Sequence, residues 1–189
     1  MQKHIEKKLN IYREFLKEYN ANVNLTAIID DEGIWVKHFI DSAMVLRQVK
    51  IRKNTRLADI GSGAGFPGAV LKIYRPDLDI TLVEATLKKV KFLRDLAEKL
   101  NLDLTIIHGR SEEQKALFGT YDYVTARAVA DIYKLKKFAF PLLNTNGKFI
   151  ALKGITEEIK GADSVKEYCL PNGDKRKIYV FNNPITRDK

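Results

Sequence analysis

The stretch with the strongest chemical character is residues 57–68, LADIGSGAGFPG. Asp59 closes a short apolar run, and glycines follow at positions 61, 63, 65 and 68. A second apolar run, Ala69, Val70, Leu71 and Ile73, comes directly after. This pattern predicts a strand, a tight turn and a helix N-terminus. Such a turn brings backbone N–H groups and the positive end of a helix dipole up to a ligand. Glycines packed this closely cost conformational entropy, which makes sense where the backbone must take left-handed angles and let something approach. A glycine-rich surface loop is the bland alternative, and the strand before and helix after argue against it. Three more chemically capable groups follow short apolar runs further along: Glu84, the pair Ser111-Glu112, and Arg127.

These residues need elements to hold them. Residues 2–20 carry Ile5, Leu9, Tyr12, Phe15, Leu16 and Tyr19 at spacings of three and four, which predicts an amphipathic helix. Its lysines read as a solvated face, with RNA contact as the alternative. Asn20, Asn22 and Asn24 then interrupt the pattern with turn chemistry. Asp30 or Asp31 caps a second helix that runs to about Gln48. His38 lies near its apolar stripe and reads as a bonded, half-buried side chain, since no histidine or cysteine is spaced to join it as a ligand. Strands are expected at 56–60, 80–84, 104–108, 121–126 and 149–153. They alternate with helices at 66–74, 87–100, 112–118, 131–140 and 156–161, with Asn144 to Gly147 turning into the fifth strand. Alternation of this kind implies a parallel sheet covered on both faces. Residues 165–170 and 176–181 read as two further strands joined by the turn Pro171-Asn172-Gly173-Asp174, an antiparallel hairpin closing the sheet.

The bulk numbers set bounds. A chain of 189 residues with 45% apolar content builds one core. The expected organisation is a helical extension over 1–50 on a domain over 51–189, forming one unit. No apolar run suits a membrane span or a signal peptide, and a lone Cys169 fits a reducing cytoplasm and no structural metal. The net charge of +9 favours a polyanionic partner, with plain solubility as the alternative.

Two ligands compete for the glycine turn. GAGFPG, residues 63–68, formally matches a dinucleotide fingerprint, and Glu84 lies at a suitable distance for a ribose hydroxyl. Two features count against it. The register is displaced past Asp59-Ile60-Gly61-Ser62, and Pro67 lacks an N–H where a pyrophosphate needs donors. S-adenosylmethionine uses the whole stretch. Gly61 and Gly63 let the backbone pass close to the methionine part, flanked by Ser62, and Asp59 orients it. Glu84 accepts the ribose hydroxyls, and Ser111 and Glu112 read the adenine edge. Arg127 reaches the same sheet edge, where ligands of open α/β sheets bind. Phe66 reads either as core or as a ring packed over the ligand.

The segments NLTAI (24–28), HFIDS (38–42), DIGSGAGFPG (59–68), GRSEE (109–113), VTARAVA (124–130) and LKG (152–154) occur in an order that resembles the bacterial small-subunit ribosomal RNA methyltransferase G family, also called glucose-inhibited division protein B. The resemblance implies a Rossmann-like class I S-adenosylmethionine-dependent methyltransferase fold. Its sheet would be mostly parallel and seven-stranded, with an antiparallel C-terminal hairpin. It implies methylation of guanine N7 in the 530 loop of 16S rRNA (position 527), yielding S-adenosylhomocysteine. It places cofactor contacts at Gly61, Phe66, Ser111, Glu112 and Arg127. The partner would be 16S rRNA or the small subunit, met by a cytoplasmic monomer with no obligate protein partner. Lys153 is a candidate RNA contact. Family members often carry aspartate-serine where this chain has Glu84-Ala85, and a basic tail longer than Thr186-Arg187-Asp188-Lys189. The shorter tail shifts expected RNA contact onto the N-terminal helices and onto clusters that include Arg47, Arg52 and Lys53.

Guanine N7 carries a lone pair and no proton, so no general base is expected; Arg127 positions cofactor or base. Other acceptors for the methyl group, a noncatalytic ribosome-assembly factor and a nicotinamide oxidoreductase are the alternatives, because fold does not fix substrate.

Overall fold

A computed structural model describes residues 2–127, 131–156 and 158–184. Its sheet follows from five alternating apolar runs that can only be buried in parallel. The strands β1 (Arg56–Ile60), β2 (Asp79–Glu84), β3 (Leu104–His108), β4 (Tyr121–Arg127) and β5 (Leu143–Gly154) pair in parallel. The strands β6 (Ser164–Cys169) and β7 (Lys175–Asn182) add an antiparallel hairpin, giving the order β3-β2-β1-β4-β5-β7-β6. Chain order reverses between β1 and β4, so β1 leads away to one side and β4 to the other. The carboxyl ends around that switch point form a natural crevice.

Helices cover both faces. On one side α1 (Gln2–Asn20), α3 (Asp41–Gln48), α4 (Gly68–Tyr74) and α5 (Leu87–Leu100) pack on β1 and β2. Leu9, Tyr12 and Leu16 of α1 share this core with Phe66, Phe92 and Leu93. On the other side α6 (Ile132–Ala139) buries Ile132, Leu135 and Ala139 against β4 and β5. Helix α1 follows its predicted span. The second predicted helix is continuous but not uniform. It has one α-turn, α2 (Asp31–Gly33), capped by Asp30, then a π-helical stretch Ile34–Ile40, then α3. A π-bulge inserts an extra residue per turn and often marks a functional position.

Three expectations need correction. Asn144 to Gly147 does not precede the fifth strand but lies inside it. Between the pairs Tyr121–Leu143 and Tyr123–Lys148, β5 advances further than β4, and the Asn144 side chain accepts the Asn146 N–H at 3.2 Å to shape the bulge. The helix expected at 156–161 is absent among the described residues. Gly161 there takes a positive φ of 75°, which a right-handed helix does not accommodate, and residue 157 lies outside the described set. The helix expected at 112–118 is two short 3-10 turns, Ser111–Glu113 and Lys115–Leu117.

Two glycines bear on stability. A Cβ on Gly68 would collide with Leu82 and stand 2.9 Å from the Asp59 Cβ. One on Gly154 would meet nothing within 4 Å. Gly68→Ala is expected to lower stability by about 1–3 kcal/mol through overpacking, whereas Gly154→Ala stays within about 1 kcal/mol. Urea denaturation of both variants measures this, and equal midpoints would contradict the packing at Gly68.

Candidate functional site

Asp59 organises the glycine turn from beneath. It is wholly buried, its Oδ2 accepts the Gly68 N–H at 3.0 Å, and its Oδ1 accepts the Thr125 hydroxyl at 3.0 Å. Its carbonyl accepts the Ser62 hydroxyl at 2.8 Å. Burial pushes this carboxyl up to about 6, against the opposing pull of the Gly68 N–H, the Thr125 hydroxyl and Arg127. Gly61, Gly63 and Gly65 all adopt positive φ, as the turn requires. The turn's N–H groups point inward more than expected. Gly61 and Ser62 donate to the Val83 carbonyl, Gly65 and Phe66 to the Ser62 carbonyl, and Gly63 to Glu84 Oε2. What the turn offers a ligand is bare backbone at close range rather than a cradle of donors for a pyrophosphate.

A cleft of about 170 Å³ opens beside this turn at the carboxyl ends of β1, β2 and β3. Gly61, Glu84, Ser111 and Glu112 line it together, and Leu135 and Phe138 of α6 close one side. Glu84 accepts from the Gly63 N–H at 2.9 Å and the Thr86 N–H at 2.8 Å, one on each oxygen. Each carboxylate oxygen has a second lone pair, so both remain able to accept a hydroxyl of a vicinal diol. The donor set, a diol acceptor on β2 and a polar edge at Ser111-Glu112 over apolar walls, fits an adenosyl group.

Arg127 stands apart from this cleft, at the end of β4. Its Nη1 donates to the Lys37 carbonyl at 2.9 Å and lies 3.4 Å from Asp41 Oδ2. Its Nη2 lies 3.0 Å from His38 Nδ1 and its guanidinium sits 4.8 Å from the centroid of the Phe66 ring. Because Arg cannot accept, His38 Nδ1 must be the acceptor, and the proton is on Nε2, 2.8 Å from the Thr26 hydroxyl. Burial, followed by the Arg127 charge, pushes His38 down to about 3, so the ring is neutral. Burial also lowers Arg127, with Asp41 and Asp59 opposing. Asp41 is further held by the Tyr168 hydroxyl at 2.7 Å.

The sequence-derived candidates therefore divide. Gly61, Glu84, Ser111 and Glu112 converge in one cleft. Gly63 and Ser62 shape the turn beside it, and Asp59 supports that turn from below. The Phe66 ring does not face this cleft. It stacks between Tyr12, at 5.4 Å, and His38, at 4.4 Å, so its core reading prevails. Lys153 lines a second cavity with Arg127. Arg47, Arg52 and Lys53 are not with them. They precede β1, where the chain enters the amino-terminal edge of the sheet, and Arg52 pairs there with Asp122 at 2.8 Å. Charge counting carries no direction, whereas a parallel strand places the residues that lead directly into β1 opposite its carboxyl end. Residues 128–130 of the VTARAVA segment lie outside the described set. Sequence reasoning missed the roles of Tyr12, whose hydroxyl donates to the Ala64 carbonyl, and of Thr26, Asp41 and Thr125. Thr26, Asp41 and Thr125 sat inside quoted motifs, which was the available signal. A larger groove of about 810 Å³ between α1 and α5 involves none of the motif residues.

A model of the rRNA small subunit methyltransferase G family matches residues 5–186. Proteins named ribosomal RNA small subunit methyltransferase G are similar over most of this chain. The one from Clostridium novyi is 43% identical over 79% of this chain and 64% of its own length. The one from Desulforamulus reducens is 42% identical over 94% of this chain and 75% of its own. The chain thus spans about two thirds of the length of the Clostridium relatives that it matches. Among solved structures, an RNA methyltransferase from Salinibacter ruber in complex with S-adenosyl-L-homocysteine superposes with a TM-score of 0.60 at 18% identity, covering 78% of this chain and 94% of that one. A SAM-dependent methyltransferase from Aquifex aeolicus gives 0.59 at 13% identity over 80% and 94%. The fold is the Rossmann-like fold of S-adenosylmethionine-dependent methyltransferases.

The two displaced buried groups generate opposite pH slopes. The fold keeps His38 neutral, so that contribution is complete above its ordinary value of 6.5 and is lost as pH falls toward about 3. The fold favours protonated Asp59, so that contribution is complete below 3.8 and is lost as pH rises through about 6. Relative to the parent chain, His38→Gln is expected to lose less stability on going from pH 6.5 to 4. Asp59→Asn is expected to lose less on going from pH 4 to 6.5. The difference should be about 3 kcal/mol for His38→Gln and about 2 kcal/mol for Asp59→Asn in urea titrations across that range. Parallel slopes for all three proteins would contradict the assigned protonation states.

Proposed function

Because the chain belongs to the rRNA small subunit methyltransferase G family, we propose that it transfers a methyl group from S-adenosylmethionine to guanine N7 in the 530 loop of 16S rRNA. The observation that carries this reading is the convergence of Gly61, Glu84, Ser111 and Glu112 in one cleft beside the glycine turn. In it Glu84 holds the ribose hydroxyls, Ser111 and Glu112 meet the adenine edge, and the turn lets the methionine part lie against bare backbone. When bound, the cofactor supplies an electrophilic methyl group on a sulfonium.

What the chain itself contributes is position and charge. The titratable groups around Arg127 are engaged. Both nitrogens of His38 are occupied, by Arg127 and Thr26, and Asp41 is held by Tyr168 and Arg127. None is free to take a proton, which suits an acceptor atom that has none to lose, such as purine N7. Arg127, fixed from three directions, positions the reactants for in-line transfer. The base must be unstacked or presented by a loop to reach a pocket at the sheet edge. Residues 1–50 and 51–189 act as one unit in this reading, since α1 packs under the turn through Tyr12.

Arg127→Ala would leave buried Asp41 with the Tyr168 hydroxyl but no cation, and cost the fold roughly the 3–5 kcal/mol of a broken buried pair. Arg127→Lys is the cleaner probe. It keeps a cation beside Asp41 but loses the fork to the Lys37 carbonyl and His38. Labelled methyl transfer to small subunits lacking the modification, followed by cleavage at 7-methylguanine, is expected to show kcat/KM reduced about 100-fold with a near-parent melting curve. Parent rates in this variant, or label on another atom, would contradict the assignment.

A further inference from the structure

A second cavity, of about 260 Å³, opens on the same sheet edge as the cofactor cleft. Lys37, Arg127, Lys153 and Arg176 line it, with Asp41 as the one acid among the lining residues. Arg127 is answered by Asp41, whereas Lys37 and Arg176 share the single carboxylate of Asp174, so two cations at the rim face one acid. Lys153 is 6% exposed, so its side chain is enclosed in this wall. The cations come from four elements: the π-helical stretch, β4, β5 and β7. Gly154 of β5 stands opposite Arg176 of β7 in the ladder, and Lys153 opposite Lys177. Asp174, in the turn before β7, holds the rim. It lies 3.1 Å from Arg176 and 3.8 Å from Lys37.

The cavity is separate from the cofactor cleft. That cleft sits over the ends of β1, β2 and β3, whereas this one sits over β4, β5 and β7. From β2 to β5 the sheet steps through β1 and β4, so the two centres stand roughly 10–15 Å apart at the ordinary strand spacing. Arg127 lies between them, lining the second cavity with its guanidinium over Phe66 of the glycine turn.

We propose that this cavity binds a phosphodiester of the acceptor RNA and so fixes the target nucleotide next to the methyl donor. Lys37 and Arg176 are the cations that exchange Asp174 for the phosphate, while Lys153 forms the enclosed wall. Planar Arg176 suits two phosphate oxygens at once, and Lys37 acts as a point charge. Asp174 competes for both until RNA arrives, which keeps the site from retaining small anions. This inference rests on the methyl-transfer reading for its choice of RNA.

The test uses the full chain, labelled S-adenosylmethionine and small ribosomal subunits lacking the modification. It compares the parent with Arg176→Gln, Lys37→Gln and Asp174→Asn across a potassium chloride series. Lys37→Gln leaves the backbone carbonyl that holds Arg127 in place. The two cation variants are expected to raise KM for subunits about tenfold each and to make the log–log salt dependence shallower by about one unit. Cofactor affinity by calorimetry should stay within about twofold. Asp174→Asn should lower KM. Unchanged KM and salt slope in Arg176→Gln and Lys37→Gln would overturn the proposal, as would a fall in kcat alone. If the parent chain transfers no methyl group, the function reading fails by itself. The cavity is then judged by direct subunit binding in the same salt series, where equal slopes for parent and cation variants would overturn it.

Discussion

The structure turns on one largely enclosed guanidinium. Arg127 is mostly shielded from water at the end of β4, and that desolvation is tolerable because its donors and its face are answered. The Lys37 carbonyl, the His38 ring nitrogen and Asp41 receive its donors, and the Phe66 face lies beneath it. The partners come from two separate stretches of chain. The first three lie in or beside the π-helical stretch, and Phe66 lies in the glycine turn. Satisfying this one cation therefore fixes the N-terminal helical segment against the turn, and the turn against the central sheet. Tyr12 extends the same stack from α1, with its ring on Phe66 and its hydroxyl on the Ala64 carbonyl.

The glycine turn is held from below as firmly as from the side. Asp59 ties the start of α4 to β4 through Gly68 and Thr125, and Glu84 ties the turn to β2 through Gly63. Most of the turn's donors are used in this way. A diphosphate needs such donors, whereas a ligand whose contact is mainly a methionine chain needs shape and proximity. The preference among ligands thus follows from where the N–H groups point, and the presence of glycines alone does not decide it.

Much of the fold could be read from the sequence because local periodicity and burial agree. The helix at α5 and the strand at β3 have their predicted bounds, and the hairpin at the end follows from Pro171 to Asp174. Where the two signals separate, sequence reasoning stopped short. The asparagine-rich segment 144–147 has turn chemistry, yet it is spent on a bulge within β5 because β4 supplies partners on both sides of it. The site was legible as a set of strand ends, since in a parallel sheet all of them share one edge. Its supports were not. Phe66 looked equally suited to core or ligand because what covers a ring depends on α1 and the π-helical stretch, which are remote in sequence. The basic cluster before β1 lies away from the cleft for a related reason: composition shows how much charge there is, and topology decides which edge it occupies.

The hairpin's direction has a further consequence. A parallel strand can bring to the active edge only the residues at its end, and reaching that edge again takes a whole helical crossover. An antiparallel strand arrives there with its beginning. Arg176, second in β7, meets Gly154 at the end of β5 after a short return through a tight turn. The residues around this turn can therefore change in length or charge while the five parallel strands, their crossovers and the cofactor cleft keep their geometry. The fold separates a fixed tool from an adjustable grip, and the one reversed strand is where the two are joined.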